Sequence, residues 1–190
     1  MGRNIEVKAR IPDRDAIQDR VAAIADDGPT EIPQDDTYFR CDAGRLKLRA
    51  FSSENGELVF YRRDDQPGPA ESFYLRVPTS APDALRESLS CAYGVVARVR
   101  KQRTLFMVGR TRIHLDRVAD LGDYLELEVV LTDDESPDVG TREASDLMAR
   151  LAIPESQLEH RGYLELVSEQ AGDAQLESSA SAASTERFRA

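Results

Sequence analysis

"RNIEVKAR", residues 3–10, alternates strictly, with Asn4, Glu6 and Lys8 on one side and Ile5, Val7 and Ala9 on the other. A period of two marks a β-strand with one apolar and one polar face. Here the polar face carries an acid and a base in mid-strand. Such a face either meets water on an open sheet or lines a polar interior, and the other strands bear on which.

They keep the same phase. Lys47 and Arg49 alternate with Leu46 and Leu48, Tyr61 and Arg63 with Phe60 and Arg62, and Arg76 with Leu75 and Val77. Arg112, His114 and Asp116 alternate with Ile113 and Leu115, and Glu126 and Glu128 with Leu125, Leu127 and Val129. In "RKQR", Lys101 and Arg103 are assigned to the polar face, an assignment that a bulge would reverse. The bases in phase are then Lys8, Lys47, Arg49, Arg63, Arg76, Lys101, Arg103 and Arg112, against the acids Glu6, Asp116, Glu126 and Glu128. That face is net basic in a chain of net charge -10 and pI near 4.8. A merely solvated face should follow the acidic balance of the chain. Confined cations repel one another unless a polyanion is present, and Arg and Lys suit phosphate. The carboxylates add oxygen ligands for Mg²⁺ or Mn²⁺. An anion-and-metal interior and a solvated sheet face both remain open on charge pattern alone.

The 190 residues suffice for one domain and a sizeable core. Strands are expected over 35–41, 44–51, 56–63, 71–78, 95–108, 110–118 and 123–131 besides the opening one. Helices are expected over 12–28, with Ile17, Val21 and Ile24 on one face, over 79–94, with Leu85 and Leu89, and over 141–152, with Ala144, Leu147, Met148 and Leu151. A short helical end at 162–169 closes the domain. About eight strands with hairpin-like spacing and segregated helices make an α+β class with an antiparallel sheet, and eight strands can close into a small barrel. The folded domain is expected over 1–169, with a flexible Ser/Ala-rich tail over 170–190. The acidic balance argues against nucleic acid as a partner. No run is long enough to span a membrane, and nothing reads as a signal peptide, so a cytoplasmic protein is the default expectation. Cys41 and Cys91 have no metal-type spacing, and Cys91 reads as a small buried apolar residue. Tyr38, Tyr74 and Tyr124 read as strand packing, and His114 as a hydrogen-bonded structural histidine or a proton shuttle.

The charged strands resemble the CYTH superfamily, the triphosphate tunnel metalloenzymes, which includes class IV adenylyl cyclases and thiamine triphosphatases. The family's opening E-x-E-x-K stands here as Asn4-x-Glu6-x-Lys8. "RLKLR", the K-x-R of "RKQR" and the run "IHLDRVADLGDYLELEVV" also match, and the likeness covers about residues 1–165. The resemblance implies an eight-stranded antiparallel β-barrel, a triphosphate tunnel, with helices packed outside. It implies divalent metal, Mg²⁺ or Mn²⁺, on Glu6, Glu126 and Glu128, with Asp116 as a further ligand. Lys8, Lys47, Arg49, Lys101 and Arg103 would contact triphosphate, joined by Arg63, Arg76 and Arg112. Glu6, Lys8 and Asp116 are the candidate catalytic residues. Two departures stand out: Asn4 replaces a Glu, and Tyr61 stands where cyclase-like members often have Lys. The function implied is metal-dependent hydrolysis of a triphosphate such as ATP, thiamine triphosphate or tripolyphosphate. The alternatives are cyclic AMP formation from ATP and a non-catalytic nucleotide- or polyphosphate-binding module. A homodimer is a candidate assembly.

Overall fold

The computed structural model describes residues 2–63 and 69–171. Its strands are β1 Gly2–Arg10, β2 Asp27–Phe39, β3 Arg45–Ala50, β4 Gly56–Arg63, β5 Ala70–Thr79, β6 Val95–Val108, β7 Thr111–Val118 and β8 Gly122–Leu131. The helices are α1 Arg14–Ala22, α2 Pro82–Tyr93 and α3 Pro137–Arg150, with a fourth, α4, over 163–171. Every strand pairing is antiparallel, and the sheet closes on itself in the order β1-β5-β4-β3-β2-β6-β7-β8. Closure removes both sheet edges and turns one face of every strand into a lining.

The apolar phase of the strands faces outward, and on β1, β7 and β8 it lies under the helices. Val7 and Ala9 of β1, Ile113 and Leu115 of β7 and Leu125 and Leu127 of β8 are buried beneath Ile17 and Val21 of α1 and Leu147 of α3, joined by Leu151. Asp13 caps α1 by accepting from the Ala16 amide at 3.0 Å. Gly140 lets α3 lie directly on the sheet, because a Cβ there would come 2.7 Å from Ile5 Cγ1 and 2.8 Å from Leu131 Cδ2. The polar phase therefore faces the barrel interior.

Two expectations need correction. α1 ends at Ala22 rather than near Gly28, and β2 begins at Asp27. The Asp26 amide already bonds to the Met107 carbonyl at 2.8 Å, so pairing with β6 takes over a segment that helical spacing would have continued. Pro33 is tolerated inside β2 because β3 pairs only from Asp35 onward, so that this half of β2 has a partner on one side only. Cys91 is exposed rather than buried, since α2 buries only Pro82. α4 runs two residues past 169, and residues 172–190 of the expected tail lie outside the described residues. None of the helices described is long and apolar enough to cross a membrane.

Candidate active site

The barrel interior is a cavity of about 310 Å³. In register, Lys8 lies opposite Glu126 and Glu6 opposite Glu128, so closure of the barrel sets the opening strand beside the E-x-E strand. Lys101 and Arg103 face inward, and no bulge reverses them: β6 and β7 pair without a break from Lys101–Val118 to Val108–Thr111.

One wall carries two matching grips. On β2, Asp36 accepts from Lys47 Nζ at 2.8 Å and from Arg49 Nε and Nη2, each at 2.8 Å. On β7, Asp116 accepts from Lys101 Nζ and from Arg103 Nε and Nη2, all at 2.6 Å. Each K-x-R pair thus sits on one buried aspartate, 1% exposed for Asp36 and 0% for Asp116. Burial alone would raise both carboxyl pKa values. The adjacent Arg and Lys outweigh it and hold both well below the usual carboxylate range. Burial, with Arg49's charge adding to it and Asp36 opposing, pushes Lys47 down to about 8. Asp36 went unnoticed in the sequence, although Gln34, Asp36 and Tyr38 share the inward phase.

Beside the second grip lies an acidic cluster, His114, Glu126 and Glu128, whose ligand atoms lie within 4.8 Å of one another, and Arg103 Nη2 also donates to Glu126 at 2.6 Å. His114 Nδ1 stands 3.6 Å from Glu128 and 3.9 Å from Glu126, is buried and has no hydrogen-bond partner. Burial and then Arg103 lower its pKa, which favours the neutral, ligating imidazole. Glu126 and Glu128 both titrate low: burial opposes this, but Lys101 and Lys8 prevail at Glu126, and His114 when protonated, with Arg103, at Glu128. An unpartnered neutral nitrogen beside two carboxylates is a donor set that fits a divalent cation. Among the site residues read from the sequence, Glu6 lines the same cavity, whereas Asp116 spends its oxygens on the cations and on Tyr163. Lys8 is 3.4 Å from Glu126, and Arg112 is 3.2 Å from Glu128. Arg76 stands half-exposed, 3.8 Å from Glu57. The backbone of Arg63 pairs with Ser72, but its side chain lies outside the described residues. Asn4 lines the cavity, 1% exposed, with its Oδ1 unpartnered.

α4 closes one end. Tyr163 donates to Asp116 Oδ2 at 3.0 Å, and its ring lies 4.0 Å from Lys8 Nζ and 4.5 Å from Lys101 Nζ. Around it Tyr38, Val99, Val118, Tyr124 and Leu166 form an apolar plug. Tyr38 and Tyr74 therefore line the tunnel as well as pack, while Tyr124 is wholly buried at the plug. Nothing local in the sequence marks Tyr163, which is brought to Asp116 across 47 residues of chain.

Comparison with known proteins agrees with this fold. The chain is 30% identical over 172 residues to a protein named adenylate cyclase CyaB from Aeromonas hydrophila, covering 84% of this chain and 85% of that protein. The structure of PH1012 from Pyrococcus horikoshii OT3 superposes with a TM-score of 0.77 at 24% identity, covering 86% of this chain and 98% of that one. HpAC1 from Hippeastrum, whose structure is described as revealing a dominant triphosphatase activity, superposes with a TM-score of 0.61 at 15% identity, covering 85% and 91%. The CYTH domain family model matches residues 2–163. By that match, over most of its length, the chain belongs to the CYTH domain family.

Proposed function

We propose that the protein hydrolyses a triphosphate with the help of a divalent cation. The observation that carries this reading is the pair of aspartate-held K-x-R grips, Lys47/Arg49 on Asp36 and Lys101/Arg103 on Asp116, in one cavity with the His114, Glu126 and Glu128 cluster. The grips and Lys8 bind phosphate oxygens and neutralise charge that develops on them. The aspartates aim the cations without neutralising the whole wall, and Tyr163, kept a phenol by burial and by Asp116, fixes the aspartate from behind. The α4 plug keeps bulk water from one end. Held ionised by its cation partners, Asp116 positions them rather than taking a proton. Glu6, half-buried in the lining beside Lys8, is the carboxylate assigned to orient the attacking water. Mg²⁺ or Mn²⁺ held by Glu126, Glu128 and His114, with Glu6 as a further ligand, would supply Lewis-acid polarisation of phosphate oxygens.

A second reading, cyclisation of ATP with loss of pyrophosphate, is favoured by the 30% identity to a protein named adenylate cyclase. One assay separates them. The protein is incubated with ATP, thiamine triphosphate or tripolyphosphate and with Mn²⁺ or Mg²⁺, and phosphate, pyrophosphate and cyclic AMP are measured. Phosphate release is expected. Cyclic AMP with pyrophosphate would replace hydrolysis by cyclisation, and tight binding without turnover would leave a binding module.

A further inference from the structure

Lysine is scarce in this chain and confined to the tunnel. Of 25 lysine and arginine residues only three are lysines, Lys8, Lys47 and Lys101, and all three line the cavity. Each also lies against a tyrosine ring. Lys47 Nζ is 5.5 Å from the centroid of Tyr38 and 5.4 Å from that of Tyr61. Lys8 and Lys101 share one ring, that of Tyr163, at 4.0 Å and 4.5 Å. Arg49 and Arg103 are held differently, each by two hydrogen bonds to an aspartate.

The chemistry separates the two kinds of cation. A guanidinium is a flat fork suited to a carboxylate, whereas an ammonium is a compact point charge. Over the face of an aromatic ring a cation is attracted by the π quadrupole, most strongly where water is excluded. Water is excluded here: Tyr163 is 5% exposed, and the side chains of Lys8 and Lys101 are 2% exposed each. Two ammoniums gathered at one place repel, and burial with Arg103 already disfavours the charged form of Lys101. A ring shared by both opposes these effects. The ring itself is fixed from several sides. Tyr124 packs on it edge-on with centroids 5.3 Å apart, and its hydroxyl donates to Asp116. The segment leading into α4 is tied to β1, with the Glu159 amide on the Lys8 carbonyl at 2.9 Å and the Lys8 ammonium on the Arg161 carbonyl at 3.0 Å.

We propose that Tyr163 is a positioning residue for triphosphate binding: its ring, apart from the bond its hydroxyl makes to Asp116, holds the Lys8 and Lys101 ammoniums side by side for one phosphate chain. The proposal rests on the triphosphate reading of the tunnel. It makes α4 part of the phosphate grip as well as a plug. Cations held in place before the ligand arrives bind it more tightly, because less ordering remains to be done on binding.

The test compares rings of nearly equal shape. Calorimetric binding of tripolyphosphate and of a non-hydrolysable adenosine triphosphate analogue is measured on the full chain in wild type, in Tyr163→Phe, and with pentafluorophenylalanine at position 163. Fluorine withdraws electron density from the ring face and changes its size little. The fluorinated ring should bind both ligands about tenfold more weakly than Tyr163→Phe, the scale of a cation–π contact away from water. That gap should widen from pH 7 to pH 9, because an ammonium that loses its ring gives up its proton more readily. Both variants lack the hydroxyl and pack alike, so a ring that only packs would give equal affinities at every pH. Equal affinities would overturn the proposal and leave the triphosphate reading intact. If the fluorinated chain does not fold, a double-mutant cycle serves: Tyr163→Leu should cost less affinity in a Lys8→Ala background than in wild type, and full additivity would overturn the proposal. Failure of wild type to bind either ligand would instead remove the triphosphate reading, and the proposal with it.

Discussion

Asp36 and Lys47 show how much chemistry one residue pair carries. Asp36 is buried and bonds to two cations at once. Asp36→Asn would leave Lys47 and Arg49 buried over a neutral amide, and removing one partner of such a network is strongly destabilising, by about 3 kcal/mol. A melting temperature several degrees below wild type is expected, and an unchanged one would show that the cations find other partners. Lys47 itself makes triphosphate binding depend on pH. Its pKa in the fold is about 8, against an ordinary value of 10.5. As pH rises through about 8 the ammonium is lost and the grip weakens, so affinity measured from pH 7 to pH 9 should fall. Folding responds in the opposite sense. Between about 8 and 10.5 the unfolded chain binds the extra proton, so this group's contribution to stability rises with pH across that window. Lys47→Arg, which stays charged, should flatten the binding profile. A wild-type affinity that is flat to pH 9 would remove Lys47 from the grip.

Among the elements, the seating of α3 on the barrel depends on a missing side chain. At Gly140 a Cβ would meet Ile5 Cγ1 at 2.7 Å and Leu131 Cδ2 at 2.8 Å. Gly140→Val would push the helix off β1 and β8, at a cost of about 1–3 kcal/mol from overpacking. Chemical denaturation should give a lower midpoint with little change in slope. Phosphate binding should be preserved, because Ile5 and Leu131 lie on the outer face while the grips lie within. A variant as stable as wild type would mean that α3 shifts without loss. α4 differs in kind: its Tyr163 reaches through to the charged interior, so this helix joins packing to chemistry.

On the scale of the whole molecule, barrel closure gathers Asn4, Glu6, His114, Glu126 and Glu128 around one space. Asn4 contributes an unpartnered oxygen without charge. Asn4→Glu should tighten Mn²⁺ binding, read by calorimetry or by the electron paramagnetic resonance of free Mn²⁺, and should lower the stability of the metal-free protein, because a carboxylate is then buried at a 1% exposed position. Glu126→Gln should weaken Mn²⁺ binding. If neither variant moves the titration, the acidic cluster is not a metal site.

The sequence by itself determined the inner lining. Side-chain alternation along a strand is a local property, so the phase of Glu6, Lys8, Lys47, Arg49, Arg112, Glu126 and Glu128 was legible before any strand was paired. The net basic charge of that phase in an acidic chain was legible too, but charge pattern alone left both an enclosed anion site and a solvated face open. Only the tertiary structure decided which acid holds which base. Asp36 meets Lys47 and Arg49 because β2 and β3 pair in one register, and a slip of one residue between the two strands would have put Asp36 on the opposite face from both cations. The start of β2 at Asp27 likewise depends on β6, which overrides local helical spacing. Tyr163 at Asp116 is a product of closure. These contacts join distant parts of the chain, and spacing within a single segment carries no information about them.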